Sequence, residues 1–120
     1  MARVLCVDDD PLVLDIVVLT LRELGHDAVG AASAAEARAS LAAAPFDLVL
    51  TDCAMPGGPT EQGEALADYA AARGIAAVLM SGNPAWLRSL AAGDLSRYPI
   101  LRKPFRQADL AAIIEEALRR

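Results

Sequence analysis

The chain predicts an α/β domain, a doubly wound (βα)5 unit built on a five-stranded parallel sheet. Two observations predict it. Five short apolar runs alternate with five helix-like stretches along the 120 residues, the order that produces a parallel sheet wrapped by crossover helices. Four of those runs are continuous and rich in small or β-branched residues, as in strands buried on both faces. A chain of this length fits one domain with one core, so residues 1–120 are expected to form a single unit without a separate output domain.

The first strand is expected at Val4–Val7. Asp10 then offers an N-cap, Pro11 suits the first helical position, and Gly25 closes the helix after Leu24. The second strand is Ala28–Ala31. Ser33 with Glu36 three residues on forms a capping box that opens a helix over Ser33–Ala44. Leu48–Thr51 is the third strand, and a third helix follows from Gly63 to Arg73, ended by Gly74. Ala77–Met80 is the fourth strand, and a helix from near Pro84 to just before Gly93 leads to the fifth, Ile100–Leu101. The last helix, Gln107–Leu118, carries Leu110, Ile113, Ile114, Ala117 and Leu118 at the spacing of one buried face. The alanines of the second and third helices favour helix and allow close packing on a sheet.

Bulk properties exclude several classes. The net charge is −5, and the basic residues are scattered apart from Arg119-Arg120, which argues against a nucleic-acid binder. The apolar share is 55 %, yet no run approaches the ~18–20 residues of a membrane span. Met1-Ala2-Arg3 leads straight into a strand, so a cleaved secretory signal is not expected. Cys6 and Cys53 both lie in apolar strand surroundings and read as buried thiols in a reducing, cytoplasmic setting.

In an open α/β sheet, ligands bind beyond the carboxyl ends of the strands. After the first strand come Asp8, Asp9 and Asp10. Asp52 follows the third, Ser81 the fourth and Lys103 the fifth. Carboxylates gathered on one rim oppose one another's ionisation. A hard divalent cation offsets that cost, and magnesium needs only two or three protein oxygens because it keeps several waters. With an amine and a hydroxyl beside them, these groups can hold a phosphoryl group during transfer to a carboxylate nucleophile.

Val7-Asp8-Asp9-Asp10, Asp47-Leu48-Val49-Leu50-Thr51-Asp52 with Met55-Pro56, Met80-Ser81-Gly82 and Lys103-Pro104-Phe105 stand in this order along the whole chain. The set resembles the response-regulator receiver family of two-component systems. The resemblance implies a flavodoxin-like strand order 2-1-3-4-5. It also implies a cis Lys103–Pro104 bond, which X–Pro tolerates cheaply. Residue by residue, Asp52 is similar to the phosphoacceptor, Asp9 to the direct magnesium ligand, and Asp8 to a partner acting through water. The backbone carbonyl of Ala54 is similar to a third protein ligand, Ser81 to the switch hydroxyl and Lys103 to the paired amine. The implied partner is a sensor histidine kinase or histidine phosphotransfer protein, with a homodimer also compatible. Catalysis would extend only to the domain's own phosphorylation and dephosphorylation, and the implied location is the cytoplasm. Ile100 stands where the family carries its switch aromatic, with Tyr98 two residues earlier. The family's loop glycine is matched by Gly63 after a longer Gly57-Gly58-Pro59 loop.

A magnesium-dependent phosphatase with an aspartyl nucleophile is the rival enzyme class, but Ala54 occupies the place of its second acid. A phosphate-bearing cofactor would meet repulsion from Asp8-Asp9-Asp10. Asp10 is expected to cap a helix, not to ligate, and His26 lacks a neighbouring ligand for a metal role. On a wheel of the first helix, Asp15 and Arg22 mark the solvent side and Val13, Ile16, Val17, Thr20, Leu21 and Leu24 the core side. That leaves Leu14 and Val18 on a flank near the acidic rim, as candidates for partner docking.

Overall fold

The computed structural model describes residues 2–53, 63–82 and 98–119. Five strands and four helices lie in them: β1 Arg3–Val7, α1 Pro11–Glu23, β2 Asp27–Ala31, α2 Ala34–Ala43, β3 Leu48–Asp52, α3 Gly63–Ala71, β4 Ala76–Ser81, β5 Ile100–Arg102 and the C-terminal helix α4 Gln107–Arg119. The expected helix from Pro84 towards Gly93, the Ala54 carbonyl and the Gly57-Gly58-Pro59 loop lie outside the described residues. The strands form one parallel sheet in the order β2-β1-β3-β4-β5, as the family resemblance implied. Among the described residues no helix is long and apolar enough to cross a membrane.

Strand alternation splits the core into two layers. Val4 and Cys6 of β1 face Val17 and Leu21 of α1 and Leu110, Ile114 and Ala117 of α4. Leu5 and Val7 face the other way, onto Ala37 and Leu41 of α2 and Leu66 and Ala70 of α3. Small alanines on α2 and α3 let those helices sit close to the sheet, and Ala34, Ala37, Ala67 and Ala70 are all at least 97 % buried.

The helix ends follow from their sequences. The Asp10 side chain accepts from Leu12 N–H at 3.0 Å and Val13 N–H at 3.5 Å. At the other end Gly25, with φ +93°, donates to Arg22 O and His26 donates to Leu21 O, each at 3.0 Å. This is a Schellman closure, and it needs a residue that accepts positive φ. Gly74, with φ +75°, ends α3 in the same way: Gly74 N–H donates to Ala71 O and Ile75 N–H to Ala70 O. In α2, Ser33 Oγ accepts from Glu36 N–H at 3.1 Å, while Glu36 Oε2 reaches back to Ala32 N–H at 2.7 Å.

The wheel of α1 is turned relative to the sequence expectation. Ile16, assigned to the core, is 61 % exposed, and Leu12 and Leu19 are 73 % and 58 % exposed. Leu14 and Val18, assigned to an open flank, are half-buried and pack on the core. Leu14 lies against Gly30 of β2, where an added Cβ would sit 3.3 Å from Leu14 Cγ. The physical reason is Arg22. It remains exposed, but its guanidinium folds back beside the edge strand β2 to donate from Nε and Nη2 to Ala28 O at 3.2 and 2.9 Å, so it does not mark the middle of the solvent face. The exposed apolar stripe of α1 is therefore Leu12, Ile16 and Leu19, which lie at one-turn spacing.

Candidate functional site

Asp8, Asp9, Asp52, Ser81 and Lys103 come together at the carboxyl ends of β1, β3, β4 and β5. Asp52 and Ser81 are the last residues of β3 and β4, one step further into the sheet than the apolar runs indicated. Parallel pairing carries both strands that far: Asp52 stands opposite Met80, and Ser81 opposite Arg102. Lys103 follows β5 directly, and its N–H donates to Ser81 O at 2.9 Å. The Lys103–Pro104 bond is cis, as expected.

Asp8 is 1 % exposed, Ser81 2 % and Asp52 9 %, whereas Asp9 is exposed. A buried carboxylate needs hydrogen-bonding and charged partners. Asp8 has both: Oδ1 accepts from Asp10 N–H at 2.9 Å, and Oδ2 meets Lys103 Nζ at 2.8 Å. Lys103 Nζ also lies 3.5 Å from Asp52 Oδ1, so one amine bridges carboxylates from two strands. Burial pulls the Lys103 amine down, but the Asp8 hydrogen bond and the charges of Asp52 and Asp8 outweigh it. The net shift is upward from 10.5, which keeps Lys103 charged at neutral pH.

One carboxylate oxygen from each of Asp8, Asp9 and Asp52 lies within 4.8 Å of the other two. Octahedral ligands about 2.0–2.1 Å from magnesium stand about 3 Å apart along an edge and about 4 Å across. The trio therefore fits a hard divalent cation with a small inward adjustment, and its all-oxygen chemistry suits one. Asp10 is excluded from the trio because its carboxylate caps α1. His26 is likewise structural: Nδ1 accepts from Ala2 N–H at 3.1 Å.

Gly63 is a residue whose part in the site the sequence left undefined. It opens α3, its N–H donates to Cys53 O at 3.1 Å, and an added Cβ would sit 2.1 Å from Asp52 O. The glycine lets the helix press on the backbone of β3 at Asp52 and Cys53. Its position after the loop was the available signal, but the close approach is a contact that no local pattern encodes. Both thiols are buried and held protonated: burial, only partly offset by Arg22, pushes Cys6 up to about 12. Burial, with Asp52 and Glu64 adding to it against Lys103, pushes Cys53 up to about 12.

A five-stranded parallel sheet whose carboxyl rim gathers three aspartates, a serine and a lysine defines a phosphoacceptor type of signalling domain. The chain belongs to the response regulator receiver domain family, whose model matches residues 4–115. It is 41 % identical over 56 residues to the response regulator protein PilR of Pseudomonas aeruginosa, a match covering 47 % of this chain and 13 % of that protein. Among solved structures it is similar to NtrX from Brucella abortus in complex with ATP, with a TM-score of 0.84 and 28 % identity over 98 % of this chain and 27 % of that one. It is also similar to a CheY-like receiver domain protein from Methanospirillum hungatei, with a TM-score of 0.82 and 27 % identity over 99 % of this chain and 94 % of that one. The chain thus spans a minor part of PilR and NtrX and nearly all of the receiver domain protein. The family is a signalling domain of two-component systems.

Proposed function

We propose that Asp52 accepts a phosphoryl group from a phosphohistidine donor, a sensor kinase or a phosphotransfer protein, in a magnesium-dependent step. The observation that carries this reading is Lys103 Nζ, which lies 2.8 Å from Asp8 and 3.5 Å from Asp52. A nucleophilic carboxylate is thereby held beside a fixed positive charge and an acidic cluster able to take a cation. Asp8, Asp9 and Asp52, with the Ala54 carbonyl, would hold the magnesium ion. Bound there, it would neutralise charge on the phosphoryl oxygens.

In the transfer, an Asp52 carboxylate oxygen attacks phosphorus, the P–N bond of phosphohistidine breaks, and the imidazole leaves with the electron pair of that bond. Lys103 stays protonated and pairs with the phosphoryl oxygens, while the Ser81 hydroxyl donates to one of them. The same groups support loss of the phosphoryl group to water. The charge added at Asp52 draws Ser81 and Lys103 inward and biases a two-state balance felt at β5 and α4. The site works in the cytoplasm, where such donors are charged with ATP.

The donor's docking face is proposed along α1, beginning two residues beyond Asp10. The half-buried Leu14 and Val18 support the helix from beneath, and the exposed Leu12, Ile16 and Leu19 meet the partner. The test is incubation with acetyl phosphate and magnesium. One phosphoryl group is expected by mass, and none in Asp52→Asn, whose amide oxygen is a poor nucleophile. Labelling of Asp52→Asn at the wild-type rate would overturn the reading.

A further inference from the structure

Lys103 owes its position to a short and weakly supported strand. β5 has three residues and, among the described residues, lies at the edge of the sheet and pairs with β4 alone. A strand of this length has little hold on its own register. Two residues before it, Tyr98 supplies a second anchorage. Tyr98 sits at a bend, two positions before Ile100, the first residue of β5. Both pack on the cluster of Cys53, Ala67, Ala77 and Leu79, and Leu79 N–H donates to Pro99 O at 2.9 Å between them. The Tyr98 hydroxyl then donates to Asp68 Oδ1 of α3 at 2.5 Å. The first residue of that same helix, Gly63, is bonded to Cys53 and seated on the Asp52 carbonyl. One rigid element thus touches the acceptor strand at its first turn and the entry of β5 five residues later.

We propose that Tyr98 is a positioning residue: its bond to Asp68 pins β5 to α3 and so holds Lys103 at its distance from Asp52. The inference rests on the phosphoacceptor reading for its kinetic consequence but not for its geometry.

Lys103 is the only lysine in the chain, so its amine can be followed without ambiguity. Trace acetylation by acetic anhydride, measured by mass spectrometry against the N-terminal amine, reads its protection. Asp52 labelling by acetyl phosphate reads the consequence. Tyr98→Phe and Asp68→Ala should each speed Lys103 acetylation and slow Asp52 labelling, both by roughly three- to tenfold, the range of a single lost hydrogen bond. Tyr98→Phe should add nothing in the Asp68→Ala background, because the acceptor of the Tyr98 hydroxyl is already gone. Asp68→Asn keeps an acceptor oxygen and should behave as the parent chain. Ile114→Val thins the opposite core layer and should leave both readouts within twofold despite a lower melting temperature.

Multiplying effects in the double variant, or unchanged Lys103 acetylation in Tyr98→Phe, would overturn the proposal. Equal slowing by Ile114→Val would do so too, by making the effect a general loosening. A chain that takes no phosphoryl group at all would refute the phosphoacceptor reading alone, since the acetylation experiment still decides the role of Tyr98.

Discussion

Replacing Gly63 by alanine puts one methyl group where the structure has no space for it. The added Cβ would stand 2.1 Å from Asp52 O, 2.8 Å from Cys53 Cα and 2.9 Å from Asp52 C. Relief to van der Waals separation requires α3 and β3 to part by roughly 1 Å, since ordinary carbon contacts lie at about 3.5–4.0 Å. All three atoms are backbone, so no side chain can rotate aside. Overpacking of this kind costs about 1–3 kcal/mol, and the absence of a yielding side chain places Gly63→Ala at the upper end. For a domain of this size, with roughly 0.05–0.15 kcal/mol of stability per residue, that is a substantial share of the total. Urea denaturation should show a lower midpoint with little change in slope. The initial rate of Asp52 labelling should fall as well, because the displaced atoms belong to the acceptor's own backbone. Gly25→Ala is the contrasting variant. It meets no atom within 4 Å, and its cost comes only from φ +93°, about 1–2 kcal/mol. It should leave the labelling rate unchanged. If Gly63→Ala were as stable as the parent within about 0.5 kcal/mol, the inferred close seating of α3 would be wrong.

Three further outcomes follow from the same geometry. The raised Lys103 pKa means that the folded chain holds this proton more tightly than the unfolded chain. Its stabilising contribution is therefore complete below about 10.5 and lost as pH rises through the folded value. Lys103→Met should flatten that alkaline part of the pH–stability profile, and a profile of unchanged slope would contradict the assignment. Cys6 and Cys53, both pushed up to about 12 by burial, should resist iodoacetamide at pH 8 in the native chain and react fully in denaturant. Rapid native alkylation would show that the strands open more readily than their packing implies. On α1, Leu12→Glu with Ile16→Glu should slow transfer from a cognate phosphohistidine donor at least about tenfold, roughly 1.4 kcal/mol, while acetyl phosphate labelling stays within twofold. Leu14→Glu with Val18→Glu should instead lower stability and slow both donors together.

Much of this fold is written locally. The three inner strands β1, β3 and β4 are legible because each is an apolar run buried on both faces, whereas the edge strands β2 and β5 keep exposed positions and show only as short runs between helices. The helix ends are legible because Asp10, Ser33, Gly25 and Gly74 satisfy orphan backbone groups within a few residues of themselves. The acidic rim could be read for a related reason: topology sends every strand's carboxyl end to the same edge, so the residue following each run is already a site candidate. What escaped depends on partners distant in sequence. The facing of α1 follows from how Val17, Leu21, Leu14 and Val18 pack on the core, and Arg22, which stays exposed while turning to the Ala28 carbonyl, is a poor marker of the opposite side on a wheel. The last strand residues, Asp52 and Ser81, are fixed by pairing with Met80 and Arg102, which periodicity within one run does not contain. The bond from Tyr98 to Asp68 spans 30 residues and joins two elements whose separate sequences are unremarkable.

The central claim is that Asp52, and not its neighbours on the rim, carries the phosphoryl group. Asp8 and Asp9 offer carboxylate oxygens in the same small cluster, so a mass shift of the whole chain does not by itself distinguish them. An acyl phosphate is reduced by borohydride to the alcohol, which converts the modified aspartate to homoserine and leaves free carboxylates untouched. Brief treatment with acetyl phosphate and magnesium, borohydride quenching and peptide sequencing by mass spectrometry therefore locate the acceptor directly. The account predicts homoserine at position 52 alone, dependent on magnesium and absent from Asp52→Asn. Homoserine at position 8 or 9, or its formation at 52 without any divalent cation, would contradict it.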